Sequence, residues 1–215
     1  MWGSARHSLP HFLLMNDSIF DPQAQVSNPD LKIIALLERL GECFRVLLWE
    51  KAKVLGISPI QIQILIFVQF HSDEKCKITY LAQEFSLTKP TISEAVKSLE
   101  QKGFIERQTE TLDSRSHTIH LTEAGKLAVA QTAHFANPML TSLTKIPPFE
   151  KGTLLEQLLG VTGQLQQAGI ISMQRMCFSC RFYQKSSEGH FCRFLNKPLD
   201  NSELRVDCKE FEAAT

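Results

Sequence analysis

From Asp30 onward the apolar residues fall at helical spacing. Ile33, Leu37, Leu40, Phe44, Leu47 and Leu48 recur every three or four positions, which predicts a long first helix from its cap, Asp30, to about Val54. Ser58-Pro59-Ile60-Gln61 then reads as a second helix start: a serine cap, proline just inside, and a glutamine placed to close a capping box. Ile62, Leu65, Ile66 and Phe70 follow, and a helix apolar nearly all round is expected to be buried. Thr79 begins a short third helix with Leu81, Ala82 and Phe85; after Ser86-Leu87, Thr88 caps a fourth that reaches about Lys102 and is stopped by Gly103. The period then drops to two. Phe104 to Thr109 and Ser116 to Thr122 are extended segments joined by a hairpin loop, residues 110–115, with Ile119 and Leu121 alternating with Thr118 and His120. Thr122 caps a helix to about Leu143, Pro147-Pro148 breaks the chain, and Leu154, Leu155, Leu158, Leu159 and Leu165 mark a last helix.

This order predicts a mainly α fold with a small β-hairpin over residues 30–172. It is preceded by a polar extension, 1–29, expected to be flexible, and followed by a cysteine-rich tail, 173–215. At 215 residues the chain is long enough for one good-sized domain plus an appendage. Its 23 basic residues balance 23 acidic ones, so any partner must be recognised by a local patch rather than a global field. The opening MWGSARHSLPHFLLMNDS is poor signal-peptide material, because Pro10 and His11 interrupt a short apolar run. No segment approaches the ~20 apolar residues of a membrane span. The expectation is therefore a cytoplasmic protein with no membrane partner and reduced thiols. Met15 precedes a second plausible start, so residues 1–14 are read either as an extension or as a misplaced start.

Two short helices joined by a tight turn and followed by a hairpin spell a winged helix-turn-helix, with DNA-binding core 58–125. Ala82 is small where the helices cross, Leu87 is placed to plug the turn, and Ile92, Ala95, Val96 and Leu99 form the stripe that must face inward. The opposite face of helix 88–102 presents Pro90, Thr91, Glu94, Lys97, Ser98 and Gln101, groups suited to base edges and phosphates. Taken alone, such a face is what any amphipathic surface helix shows. The hairpin adds Arg115, two residues after Asp113, whose carboxylate can orient the guanidinium for a narrow minor groove. An ordinary surface ion pair is the bland reading of that pair.

The segment LAQEFSLTKPTISEAVKSLEQKGFIERQTETLDSRSHTIHLTEAGK closely resembles the DNA-binding core of the MarR family of bacterial transcription regulators. The likeness rests on the run Leu99 to Arg107, on Asp113-x-Arg115 at the wing tip, and on Leu121-Thr122-Glu123-Ala124-Gly125. It implies a homodimer whose first and last helices interleave and hold two reading helices over a pseudo-palindromic operator on double-stranded DNA. Carried across, Thr91, Ser93, Glu94 and Lys97 fall in the reading helix and Arg115 in the wing. It also implies a small-molecule effector pocket, for which Phe44, Trp49, Phe67 and Phe70 are candidates, although aromatic residues at helical spacing are more often plain core. Ser86 stands where many such turns have glycine, and serine fits if its φ stays negative. Residues 77–126 hold seven basic and seven acidic groups, so affinity must come from placement, with Lys89, Lys97 and Arg115 toward DNA and the acids mostly away.

Beyond the likeness lies Cys177-x2-Cys180-x11-Cys192-x15-Cys208, four thiols in a segment with too few apolar residues for a core of its own. A closed zinc site with four thiolates is the favoured reading, although most zinc ribbons use two close pairs and here there is one. An iron–sulfur cluster, which takes the same four ligands at uneven spacing, is the alternative. Disulfides or free thiols are the plain reading, and His190 is more a neighbour than a ligand. No enzyme signature emerges. Ser58 and Ser172 lack a partnered histidine, His117 and His120 lie on a strand, and Gly160-x2-Gly163 follows no strand. The rival to a DNA-binding regulator is a cysteine-rich redox or metal-handling protein that uses its helical body only to dimerise.

Overall fold

The computed structural model describes residues 18–109, 117–172, 174–187 and 189–214. It divides into two units, Met1–Glu50 and Lys51–Thr215. In the first, the Asp21 side chain accepts from the Gln23 amide and caps a short helix, α1 (Pro22–Ser27), inside the stretch expected to be a flexible extension. Its six residues are too few to show a period, so only the cap and Pro22 announce it. The long helix α2 (Pro29–Leu55) starts at Pro29, and its cap is Asn28 rather than Asp30: the Asn28 Oδ1 accepts from the amides of Asp30 at 2.9 Å and Leu31 at 3.4 Å. Leu31 and Leu48 are buried, but most of the predicted stripe, including Ile33, Leu37, Leu40 and Phe44, is exposed.

The second unit is built around α3 (Pro59–Phe70), where Ser58 and Gln61 form the expected capping box. Ile62, Ile64 and Leu65 are wholly buried, and Gln61 anchors the neighbouring helix through its Nε2, which donates to the Ala95 carbonyl at 3.2 Å. Phe70, expected in the same core, is exposed. Next come α4 (Ile78–Glu84), α5 (Lys89–Gln101), and the antiparallel pair β1 (Ile105–Thr109) and β2 (His117–Leu121), in register from Ile105↔Leu121 to Thr109↔His117. Thr118 is buried alongside Ile119 rather than alternating with it. The Ile119 amide donates to the Cys76 carbonyl at 2.9 Å, which ties the hairpin to the loop before α4.

Gly125 fixes how α6 (Glu123–Thr132) leaves the hairpin. Thr122 caps this helix and donates its hydroxyl to the Gly103 carbonyl at 2.6 Å, which draws the first turn of α6 onto Phe104. A Cβ at position 125 would stand 2.0 Å from the Phe104 carbonyl oxygen, so only glycine fits. The helix ends well before Leu143. Pro138, which lacks an amide hydrogen and disfavours helical backbone before it, begins a separate helix, α7 (Asn137–Leu143). The last helix, α8 (Pro148–Gln167), carries Gly152, Leu159 and Gly163 on a buried face.

The cysteine-rich tail folds onto that face. It holds a three-stranded antiparallel sheet, β3 (Tyr183–Ser186), β4 (Gly189–Cys192) and β5 (Lys197–Leu199), with β4 in the middle. Its apolar residues are few, as expected, and Met176, Cys177, Leu199 and Leu204 make a core by borrowing Leu159 and Leu155 of α8. Gly163 lies beside Met176, where an added Cβ would make ordinary van der Waals contact with the Met176 Cε at 3.5 Å. Among the described residues no single helix is long and apolar enough to cross a membrane. Gly125→Ala is expected to destabilise the domain by about 1 to 3 kcal/mol, because the obstacle is backbone; thermal unfolding of the variant checks this.

Candidate nucleic-acid interface and thiol cavity

The α4–α5 pair is closed by its turn. The Leu87 amide donates to the Ala82 carbonyl at 2.9 Å, and the Thr88 hydroxyl accepts from the Thr91 amide at 3.3 Å to start α5. Two expectations fail here. Ser86 has φ +52°, in the left-handed region that favours glycine, and Leu87 is 39% exposed rather than plugging the turn. The turn is therefore closed by backbone bonds and by the buried Ala82. Ile92, Ala95, Val96 and Leu99 are buried as the pattern requires. With that stripe inside, Lys89, Pro90, Thr91, Glu94, Lys97 and Gln101 are exposed, and Ser93 and Ser98 are half-buried at the edges of the same face.

Charge is sorted across this surface. Glu100 is paired with Arg107, whose hydrogen bonds hold its carboxyl below the usual range. Glu84 points away from α5 to Arg175 at 2.5 Å, and Lys102 donates to the Gly56 carbonyl at 2.5 Å. Lys89 and Lys97 have no ion-pair partner among the described residues, which leaves two uncommitted cations on the exposed face of α5. Asp113 and Arg115, with the rest of the wing tip, lie outside the described residues. Thr109 and His117, the last described pair of the hairpin, stand directly opposite each other, so the hairpin stays paired up to that loop.

Residues 55–116, which span this helix pair and first strand, match the model of the MarR family. Over that segment the chain is similar to the MarR family. A curated relative, the HTH-type transcriptional repressor YetL of Bacillus subtilis (strain 168), is 32% identical over 83 residues, 38% of this chain. The match spans half the length of that relative. The S. aureus MepR–DNA complex superposes with a TM-score of 0.55 at 23% identity, over 61% of this chain and 96% of MepR. MepR in its DNA-binding conformation gives 0.56 at 21% identity over 62% and 98%, and a MarR protein from Peptoclostridium difficile gives 0.56 at 14% over 63% and 88%. These likenesses show a winged-helix fold.

Outside the matched segment, the four tail cysteines come together. Cys177, Cys180, Cys192 and Cys208 line one small cavity of about 30 Å³, partly open to solvent, with Phe182, Phe194, Leu199 and Arg205 also in its wall. A 3₁₀ turn, Cys177–Ser179, brings the first two thiols in, and β4 delivers Cys192. The Cys208 amide donates to the Arg175 carbonyl at 2.9 Å, and the Cys177 amide to the Arg205 carbonyl at 3.0 Å. The Arg205 amide donates to the Cys177 sulfur at 3.2 Å, and its guanidinium lies 3.5 Å from the Cys208 sulfur. Burial pushes the Cys177 thiol up, opposed by that amide. Among the described residues no group of three or more His, Cys, Asp or Glu side chains is gathered as a single ion requires. His190 is buried, with its Nδ1 2.6 Å from the Tyr183 hydroxyl and its Nε2 3.5 Å from Glu156. The other two cysteines stand apart: Cys43 is exposed on α2, and Cys76 is buried, its thiol pushed up to about 11 by burial.

Between the cavity and α4 lies a buried guanidinium that sequence patterning does not single out. Arg175, 8% exposed, donates from Nε and Nη2 to the two Asp207 oxygens, each at 2.8 Å, and from Nη1 to Glu84 at 2.5 Å and the Tyr80 hydroxyl at 2.9 Å. It also stacks over the Phe67 ring at 5.5 Å. His71 lies flat on Phe67, centroids 3.7 Å apart, and reaches Asp207 at 2.8 Å. Phe67, a candidate pocket aromatic, is thus committed to core and clamp. The only trace of this clamp in the sequence is position: Arg175 lies two residues before Cys177, and Asp207 immediately precedes Cys208. For the α4–α5 turn, Ser86→Gly is expected to stabilise the fold by about 0.5 to 1 kcal/mol, since the strain relieved exceeds the added chain entropy; a fall in the unfolding midpoint would contradict the strained turn.

Proposed function

We propose that the chain is a homodimeric, sequence-specific DNA-binding transcriptional regulator, not an enzyme. In this reading α5 enters the major groove, and the wing, with Asp113 and Arg115, enters the adjacent minor groove of a pseudo-palindromic operator. The observation that carries it is the exposed face of α5, where Thr91, Glu94, Gln101 and the uncommitted Lys89 and Lys97 project from a helix whose other side is locked in the core. The MepR–DNA complex and the repressor YetL support it by fold and by sequence likeness. Dimerisation is supported by uncovered apolar side chains on two helices: Ile33, Leu37 and Leu40 on α2, and Leu154, Leu158 and Val161 on α8. Such a protein works in the cytoplasm, where the DNA is.

The thiol cavity favours a second reading, a metal-handling protein that only dimerises through its helices. The two differ over DNA. Duplexes selected from a random pool by the purified full-length chain should converge on a palindrome bound by two chains, as light scattering of the complex would report. Arg115→Ala should weaken that binding by about 1 to 3 kcal/mol, and Lys97→Ala should weaken it with a shallower salt slope. A pool that never converges leaves the second reading.

A further inference from the structure

We propose that Cys177, Cys180, Cys192 and Cys208 bind a single zinc ion as thiolates, in a closed site that clasps the tail onto itself. Such a site stands whether or not α5 reads DNA.

Three separate segments meet at this point. The 3₁₀ turn Cys177–Ser179 carries the first thiol, with Cys180 directly after it; β4 ends on Cys192, and the Cys208 amide is tied to the Arg175 carbonyl. Their thiols line one cavity of about 30 Å³, on the order of the volume one water molecule takes in the liquid, so it admits an ion and nothing bulky. Four soft thiolates around a space of that size suit zinc. Phe182, Phe194, Leu195 and Leu199 line it too and bring no competing donor. His190 is committed to Tyr183 and Glu156 and is not a ligand.

Charge supplies a second reason. Burial first, and then the neighbouring Cys208, Cys192 and Cys180, push the Cys177 thiol up, so the four sulfurs lie within electrostatic reach of one another. A divalent cation cancels that mutual repulsion, and four thiolates around it still leave the site net negative. Arg205 answers that charge. Its amide donates to the Cys177 sulfur at 3.2 Å, and its guanidinium lies 3.5 Å from the Cys208 sulfur.

The thiols must close inward to receive the ion. Among the described residues no three such side chains already stand at ion-holding spacing, and the Cys208 thiol is turned to the Glu210 carboxylate, 3.5 Å away. Zinc–sulfur bonds of about 2.3 Å draw the sulfurs together across the small cavity, and each cysteine can follow by turning about χ1. Glu210 keeps a partner when Cys208 leaves it, because Arg205 holds it at 2.9 Å. Each thiol gives its proton to solvent as its zinc–sulfur bond forms, and no electron changes hands. The gain is mechanical. Strands of four, four and three residues make a sheet too short to stand alone, and the ion would cross-link β4 to the segments around Cys177 and Cys208.

Full-length chain, purified without chelator or affinity metal from cells grown with zinc, should carry one zinc per chain by native mass spectrometry. Cobalt(II) put in its place should give the near-ultraviolet bands of four thiolate ligands and the visible bands of a tetrahedral ion. Arg205→Gln should weaken zinc binding about tenfold, Cys192→Ser and Cys208→Ser by more than that, and Cys43→Ser should leave it unchanged. Stripping the metal with a chelator should speed amide exchange in residues 183–199 several-fold while residues 59–70 keep their protection. A folded, reduced chain that takes up no zinc, that holds iron with sulfide instead, or whose cobalt spectrum reports fewer than four thiolates overturns the site, whatever becomes of the serine variants. Exchange that ignores the metal overturns the clasp. Zinc-loaded protein that selects no DNA removes the regulator reading alone.

Discussion

The organisation of the second unit depends on one burial constraint: Ile92, Val96 and Leu99 of α5 must be removed from water together with Ile62 and Leu65 of α3. All five side chains are wholly buried, each stabilising the fold by roughly 1.5 to 3 kcal/mol. Because a helix cannot bury one side without presenting the other, this requirement alone decides which residues of α5 face outward. Glu100 is taken by Arg107 and Glu84 by Arg175, so a segment with equal numbers of acids and bases still presents lysines uncommitted. Placement does here what net charge does in more basic proteins.

Arg175 has a comparable role for the tail. A nearly buried guanidinium is costly unless every donor finds an acceptor, and here two carboxylates and a tyrosine hydroxyl meet it. Hydrogen bonds from Arg175 and His71 outweigh burial and hold the Asp207 carboxyl down at about 2, so the ion pair persists at any ordinary pH. The tail is thereby attached at two places of different character, by apolar packing on α8 and by charge on α4.

Much of the domain was legible in the sequence. Caps at Ser58, Thr88 and Thr122, the helical stripe of α5 and the stop at Gly103 are short-range signals, and the structure uses each of them. What the sequence hid was set by partners far along the chain or by conformation. Ser86 carries no mark of its positive φ, and the grip of Arg175 on Glu84 spans 91 positions. The helical period of the α2 stripe is legible in the sequence, and its exposure within one chain is not. For the site, the four cysteines are legible as a group in the sequence, and the structure brings them to the wall of one cavity, whereas the Arg205 donors beside them come from the fold.

The face of α8 that takes the tail is only half of that helix's work. Gly152, Leu159 and Gly163 lie on one side, while Leu154, Leu158, Val161 and Leu165 project about half a turn away. The helix therefore serves as a two-sided bearing, seating its own appendage on the glycine side and leaving the leucine side for something else. Inserting one residue midway would rotate the two halves by about 100° and spoil both seats at once, since neither could be re-registered without displacing the other. Length along this rod is thus quantised, and only changes close to whole turns would keep appendage and body in phase.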